Sequence, residues 1–549
     1  MKRWAALFLS ASVLLLLAHA FIPIHQFIHR NDDAYYYFKL AANYPQMGFW
    51  SFDRIHSTNG VQPLWAVMLT AIAQLLSWFS ITDLAVLVRV FVACSALLHF
   101  ASGLMLFHLL SMTVSTGTGL AAAGAFLFPM GIVWARVSGM ENSLYALMLV
   151  SSVSYLHLRF LPRATTCRAF VLGILLGLTA LARLNAAILI PCVLLYLLCA
   201  PTAHSLAQRL RLVAVTGGAA AMLLLPYLLA NYLVTGHLLP VSGAVKAVLT
   251  DQFLEARQVR RLLSSATLTM IHNDMAAHLW RFMASRVGDG FWAAGSRLLF
   301  TERIPLVYLL LMALAVIGLP LCVGQPREWL TYLGSRLRRL AVFWYVLLFG
   351  VVDATVSMLL YPNQVRYAMT GWWFVNNEII IVVTVATLTA AAVSYIAVSL
   401  LPKRLHARLL AAVLAVSFLF HGQQMVRFYW SDAVVHTDWK TSWNDELFLA
   451  ARWLSENVPP DATVGAWNAG ILGYYATQRV VNLDGLINNF ELLPYLRERR
   501  ISDYIRRKRI AYLSDLDPRA SRAAGSTRRP RARGLCVSTA RRPARAPLR

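Results

Sequence analysis

The sequence predicts an all-α polytopic membrane protein of about 11–13 transmembrane helices, with a small α/β module at its C-terminal end. Three observations predict it. Mean hydropathy is +0.57, and 58% of the 549 residues are hydrophobic. Apolar runs of roughly twenty residues recur along the chain, the length that crosses a ~30 Å hydrocarbon core. Beyond residue 429 the composition changes to that of a soluble segment. The apolar runs are expected as helices, because backbone groups in lipid must be satisfied within one segment. The apolar-polar alternation of an outer-membrane barrel is missing.

The expected spans are residues 5–24, 62–80, 84–110, 117–134, 142–160, 169–182, 184–200, 212–233, 304–323, 340–360, 374–400 and 409–428. Short cytoplasmic loops collect Lys and Arg. The basic clusters are Lys2-Arg3, Arg159 to Arg168, Arg209-Leu210-Arg211, Arg327 to Arg339 and Lys403 to Arg408. Placing all of them inside puts the N-terminus inside and leaves residues 25–61, 234–303, 361–373 and 429 onward outside. One mismatch follows: three candidate spans lie between residues 62 and 134 although both flanks belong outside, so one of them does not cross. Met1 to Ala20 also has the layout of a cleavable signal peptide. A retained first helix is favoured, since it would anchor the acidic loop that follows. The six cysteines have no metal or redox spacing and read as small apolar fillers, and no disulfide framework is implied.

This divides the chain into a membrane domain over residues 1–429, a soluble α/β module over 430–517 and a tail over 518–549. In the module the pattern predicts a helix around 445–457, a strand at 462–466, a helix over 469–476 and a strand at 480–483. The tail carries ten Arg and no acidic residue among Pro, Ala, Gly and Ser, a disordered composition. Without it the net charge falls from +25 to about +15, so the high pI of about 10.3 is partly a tail effect and does not indicate nucleic-acid binding. The module breaks off near Asp517, and a truncated or frameshifted reading frame would produce such an ending.

The candidate chemistry sits in the outer segments. Asn31-Asp32-Asp33-Ala34-Tyr35-Tyr36-Tyr37 follows the first span, and carboxylates at a bilayer surface are costly unless solvated, paired or working. A helix cap with an acidic first turn would explain the same pair without chemistry. The first loop continues through His56, Asn59 and Gln62 to Pro63-Leu64-Trp65. Glu141 follows in Ser138-Gly139-Met140-Glu141-Asn142, and Arg183 interrupts an apolar stretch in Ala182-Arg183-Leu184-Asn185. Lys246 closes Leu239-Pro240-Val241-Ser242-Gly243-Ala244-Val245-Lys246, and Arg366-Tyr367 lies in the last short outer segment. Acids and cations gathered on one face suit a reaction in which a lipid-borne phosphate rests among cations while a carboxylate accepts a proton nearby.

The order of acidic pair and aromatics, Thr58-Asn59-Gly60 with Pro63-Leu64-Trp65, Ser138 to Glu141, Ala182 to Asn185, Leu239 to Lys246 and Arg366-Tyr367 resembles the C-type (GT-C) integral-membrane glycosyltransferases. It is most similar to bacterial relatives of protein O-mannosyltransferases, lipid A aminoarabinose transferases and mycobacterial arabinofuranosyltransferases, over roughly residues 1–515. Trp467 to Tyr475 and Asn482 to Leu486 resemble the outer C-terminal domain of the same families.

The resemblance implies a polyprenyl-phosphate-sugar donor used at the periplasmic face of a bacterial inner membrane. It further implies transfer to an acceptor hydroxyl with inversion, an acidic first-loop residue as base, and a glycan, lipid or protein acceptor. Asp32 and Asp33 match the family's acidic pair, with Asp32 favoured as base. Adjacent helical residues point about 100° apart, so one of the two is expected to face the donor. Lys246 matches a motif lysine, and Lys246, Arg183, Arg366 and Tyr367 are the candidates for the donor phosphate; snorkelling or internal pairing are the bland alternatives. His56, Asn59, Gln62 and Glu141 would support the site. Asp32, Asp33, Glu141, His25, His29 and His56 could collect a divalent cation, but no spacing among them is diagnostic, and no obligatory metal or other cofactor is expected. A ligase or polymerase with a diphosphate-linked donor, a lipid or sugar transporter, and a structural assembly protein remain as rival readings.

Overall fold

Asn31 starts the first outer helix by accepting the Asp33 backbone N–H on its side chain, and Asp32 and Asp33 fill the first turn, where the helix dipole favours acids. This helix, α1 (Asp32–Met47), ends at Gly48, whose φ of +73° suits glycine. The computed structural model describes residues 31–127, 136–199, 205–256, 443–515 and 536–539, with isolated positions elsewhere. Apart from such positions, the expected spans at 5–24, 304–323, 340–360, 374–400 and 409–428 lie outside the described residues, as do 257–303 and 361–373.

The following helices are α2 (Pro63–Trp78), α3 (Leu84–Thr113), α4 (Thr116–Leu127), α5 (Asn142–Tyr155), α6 (Thr166–Ala182), α7 (Leu189–Cys199), α8 (Leu206–Thr235) and α9 (Val241–Ala256). Among the described residues, three helical stretches are long and apolar enough to cross a membrane: Leu84–Thr113, Asn142–Arg163 and Leu206–Thr235. Pro63–Trp78, Thr166–Ala182 and Leu184–Cys199 are apolar but shorter. Glycines let helices approach closely. A Cβ at Gly173 would strike the Thr216 carbonyl, and one at Gly177 would press on Ala220 and Leu223, which seats α6 against α8.

Of the three apolar runs between residues 62 and 134, α2 is a shorter apolar helix. Pro63 starts it, and its 16 residues extend only about 24 Å. It packs along α1, with Trp50 Nε1 donating to Thr70 Oγ1 at 3.0 Å. The chain touches the C-terminal module on both sides of it. Before α2, Thr58 Oγ1 donates to the Asn488 carbonyl at 2.7 Å; after it, the Tyr474 hydroxyl donates to the Leu84 carbonyl at 2.8 Å. Glu141 and Arg183 fall at one end of α5 and α6, and Arg159, Arg163 and Arg168 lie toward the other.

The C-terminal module forms α10 (Trp443–Asn457), β1 (Thr463–Ala466), α11 (Gly470–Tyr475), β2 (Arg479–Asn482), α12 (Leu493–Arg497), α13 (Ile501–Arg507), β3 (Tyr512–Asp515) and β4 (Cys536–Thr539). The sheet order is β2-β1-β3-β4, with β1 parallel to both β2 and β3 and β4 antiparallel to β3. Val464 and Ala466 are fully buried beneath Leu447, Ala450 and Leu454, and Tyr504 and Ile505 join Val481, Leu483 and Leu513 in a second cluster. Both faces are thus covered, as parallel strands require. The expected α/β module is present. Cys536–Thr539, from the tail segment, pairs antiparallel with Tyr512–Asp515 at the edge of the sheet.

One buried charge in α1 costs stability. Lys39 is 6% exposed, and burial together with the Arg54 guanidinium lowers its ammonium to about 7. Between that value and the ordinary lysine range the unfolded chain holds the extra proton, so stability rises as pH climbs from about 7 toward about 10. Lys39→Met is expected to stabilise the protein by about 1 kcal/mol or more at pH 7 and to remove that slope. Thermal melts across pH check this, and an unchanged slope would place the titration elsewhere.

Candidate active site

The two aspartates begin the same helix yet serve different surfaces. Asp32 and Tyr36 stand four residues apart on one face of α1, and Asp33 and Tyr37 on the next. Asp32 is held by the C-terminal module: its Oδ1 accepts from Ile471 N at 2.7 Å and its Oδ2 from Gly470 N at 3.1 Å. Four residues on, the Tyr36 hydroxyl donates to Asp484 Oδ2 at 3.1 Å and accepts from Asn482 Nδ2 at 3.2 Å. Burial, opposed by these backbone donors and reinforced by Asp33, pushes Asp32 up to about 7.

Asp33 faces the membrane domain. Among the described residues nothing donates a hydrogen bond to its carboxylate, while the Lys246 ammonium and Glu141 carboxylate act on it through space. Burial raises the Asp33 carboxyl, Lys246 pulls it back, and Glu141 raises it further. The same crowding lowers Lys246, an effect opposed by Asp33, Glu141 and Asp484 and aided by Arg183. Asp33 and Lys246 are each half-buried, so the pair keeps some open surface inside a crowded site.

The motifs explain how these groups are placed. Gly139 has a φ of +89°, and a Cβ there would strike the Phe38 ring, so only glycine lets this corner press on α1. The Trp65 indole donates to the Gly139 carbonyl at 2.9 Å. Glu141, 4% exposed, accepts the Tyr37 hydroxyl at 3.0 Å. That hydroxyl accepts from Gln62 N at 3.1 Å, and Gln62 Oε1 accepts from Leu184 N at 2.9 Å, which ties the first loop to the Arg183 corner. Arg183, 5% exposed, donates to Asn142 Oδ1 at 3.2 Å and lies over the Tyr145 ring. Asn59 accepts the Val241 N–H at 3.0 Å and so fixes the start of α9. Val241, Val245 and Val248 of α9 pack with Leu493 of the C-terminal module, while Lys246, one position past Val245, turns toward the acids.

The structure thus gathers Asp32, Asp33, Glu141, Lys246, Arg183, Gln62 and Asn59 into one network. His56 stands apart, with Nδ1 2.6 Å from Asp53 Oδ2 and Nε2 3.1 Å from Lys508 Nζ, which donates to Glu491. Arg366, Tyr367, His25 and His29 lie outside the described residues. Among the described residues no three His, Cys, Asp or Glu side chains are grouped to hold a metal. The sequence reading missed Asp484, Tyr36 and Tyr37 as site residues. The four-residue offset from each aspartate to a tyrosine was the available signal for the tyrosines; Asp484 lies in the Asn482 to Leu486 motif, but nothing local tied it to α1, because its contact spans 448 residues.

The family described as Domain of unknown function (DUF8728) matches residues 437–539. No curated protein matches the chain. Among solved structures, the archaeal oligosaccharyltransferase AglB from Archaeoglobus fulgidus, in complex with an inhibitory peptide and a dolichol-phosphate, is 14% identical with a TM-score of 0.49, over 94% of this chain and 69% of that one. ArnT from Cupriavidus metallidurans is 13% identical with a TM-score of 0.42, over 98% of each chain. The arabinofuranosyltransferase AftD from Mycobacteria is 15% identical with a TM-score of 0.38, over 94% of this chain and 35% of that one. These neighbours are GT-C glycosyltransferases, the group whose motifs the sequence resembles. At such identities and TM-scores the likeness carries nothing about activity.

The contact between Asp32 and α11 admits no side chain at residue 470, where a Cβ would collide with the Asp32 carbonyl oxygen. Gly470→Ala is expected to lower the unfolding free energy by about 2 kcal/mol or more and to speed proteolytic release of the C-terminal module. Limited proteolysis with thermal melts measures both; a wild-type digestion pattern and melting temperature would show that the module docks by other contacts.

Proposed function

We propose that the chain is an integral-membrane glycosyltransferase that moves a sugar from a polyprenyl-phosphate donor to an acceptor hydroxyl on a glycan, lipid or protein. The observation that carries this reading is a half-buried carboxylate, Asp33, under the influence of a half-buried ammonium, Lys246, at the end of the apolar bundle opposite Arg159, Arg163 and Arg168. By the charge rule that end is the periplasmic face of a bacterial inner membrane. Of the acidic pair, Asp33 fits the base better than Asp32. The Asp32 oxygens already accept two backbone N–H groups, whereas the Asp33 carboxylate is open to an acceptor hydroxyl.

In this mechanism Asp33 takes the acceptor proton as the hydroxyl oxygen attacks the anomeric carbon from the face opposite the phosphate. The bond from that carbon to the phosphate oxygen breaks, the electron pair stays on the phosphate, and configuration inverts. Lys246 stabilises the charge that develops there, with Arg183 adding to the local field. Arg366 and Tyr367 remain proposed donor contacts. The raised Asp33 makes a stronger base than a free aspartate. Positive charge is supplied by side chains, so the reaction is proposed to need no obligatory metal.

The test is turnover by purified protein in defined lipid with a panel of polyprenyl-phosphate sugars, with diphosphate-linked sugars as controls and with a chelator in a parallel arm. Consumption of the monophosphate donors is expected, with a loss of roughly 10²–10⁴-fold in kcat for Asp33→Asn. Turnover of the diphosphate-linked donor alone would establish the ligase reading, and full activity in Asp33→Asn would remove that residue as base.

A further inference from the structure

Asp484 belongs to the C-terminal module, yet its carboxylate lies among the charges of the membrane domain. Its Oδ1 accepts from Leu486 N at 2.7 Å and its Oδ2 accepts the Tyr36 hydroxyl at 3.1 Å. The Tyr36 hydroxyl accepts in turn from Asn482 Nδ2 at 3.2 Å and Ala469 N at 3.4 Å, which leaves its proton for Asp484. Asp484 is therefore fixed in place; burial pushes its carboxyl up to about 7, opposed by the Leu486 N–H, reinforced by Asp33, and opposed again by Asn482 and Tyr36, so it carries its charge above neutral pH.

The surrounding chain is shaped for this delivery. Gly485 has a φ of +86°, and a Cβ there would press on Val245, the neighbour of Lys246. A Cβ at Gly60 would collide with the Leu486 carbonyl oxygen, so the first outer loop closes on the same turn from the other side. Thr58 adds its bond to the Asn488 carbonyl. The Asp484 turn is thus wedged between the loop that carries Asp33 and the helix that carries Lys246. Facing it are Asp33 and Tyr36 from α1 and Lys246 from α9, and Lys246 is acted on in turn by Glu141 and Arg183.

We propose that Asp484 is a positioning residue of the site, a carboxylate lent by the C-terminal module that holds the Tyr36 face of α1 and stands against the helix that carries Lys246, so that the Asp33–Lys246 pair is incomplete without the module. Lys246 sits in surroundings that favour loss of its proton, and Asp33, Glu141 and Asp484 are the acids that oppose this. Removing one of them shifts the ammonium toward its neutral form, which cannot stabilise a departing phosphate. Asp484 also bears on Asp33 as a like charge, so its removal makes Asp33 easier to ionise. Both effects move in one direction along the pH axis.

Two readouts test this on the full-length protein in lipid. The first, independent of any sugar, is the pH dependence of Lys246 acylation by acetic anhydride, followed by mass spectrometry. In Asp484→Asn the labelling midpoint is expected to fall by roughly one unit relative to wild type. Tyr36→Phe keeps the Asp484 carboxyl but removes a hydrogen bond that favours its charged form, so it is expected to move the midpoint in the same direction by less than Asp484→Asn does. The second readout rests on the glycosyltransfer reading: both limbs of the kcat/KM profile move to lower pH in Asp484→Asn, and by less in Tyr36→Phe. Should Asp484→Asn fail to accumulate, Asp484→Ser removes the charge and keeps an oxygen for Leu486 N. An unmoved Lys246 midpoint in the charge-removing variants overturns the proposal whatever the activity. A shifted midpoint in a protein that consumes no polyprenyl-phosphate sugar upholds Asp484 and defeats the donor assignment instead.

Discussion

The arrangement depends on one contact, the Asp32 carboxylate receiving the backbone N–H groups of Gly470 and Ile471. It joins the start of α1 to the start of α11, segments separated by 438 residues in the chain. A charged acceptor shared by two backbone donors is among the stronger hydrogen-bonding arrangements, and it offsets part of the penalty of burying the carboxylate. Because the contact lies at the first turn of α1, it also sets the rotation of that helix. Once Asp32 faces the module, Asp33 must face the bundle, and Tyr36 and Tyr37 follow their respective aspartates four residues on.

The C-terminal module is therefore part of the charged centre. It touches the first loop through Thr58 and Gly60, α3 through Tyr474, and α9 through Leu493 and Gly485. Three glycines, Gly60, Gly470 and Gly485, stand where these surfaces meet, each because a Cβ would collide across the junction. Docking and chemistry are coupled: α9 is gripped on its valine face by the module and presents Lys246 on the adjacent face. Five charged side chains then share a small volume, with Asp33, Glu141 and Asp484 around Lys246 and Arg183. Low local polarizability makes each of them sensitive to the others, which is the condition under which a carboxylate becomes a useful base.

Much of this was legible in the sequence. Hydropathy marked the long helices, and strand-helix alternation marked β1, α11 and β2, because such local patterns report burial directly. Glu141, Gln62, Asn59 and Lys246 were readable as polar groups beside apolar spans. The contacts on both sides of α2 were not, since they join Thr58 and Leu84 to residues of the C-terminal module far away in the chain. The division of labour between Asp32 and Asp33 was half legible. Helical geometry requires the two to diverge, but the identity of each facing surface depends on Gly470 and Lys246, far away in sequence. Asp484 was illegible for the same reason, and His56, which looked well placed, is drawn aside by Asp53 and Lys508.

The central claim is that Asp33 and Lys246 act as one unit across the site. A double-mutant cycle on kcat/KM, built from Asp33→Asn, Lys246→Met and the two combined, tests it most directly. Strong non-additivity is expected, with the double variant scarcely slower than the worse single one. Losses that simply multiply would show that the two side chains work independently and would contradict the account.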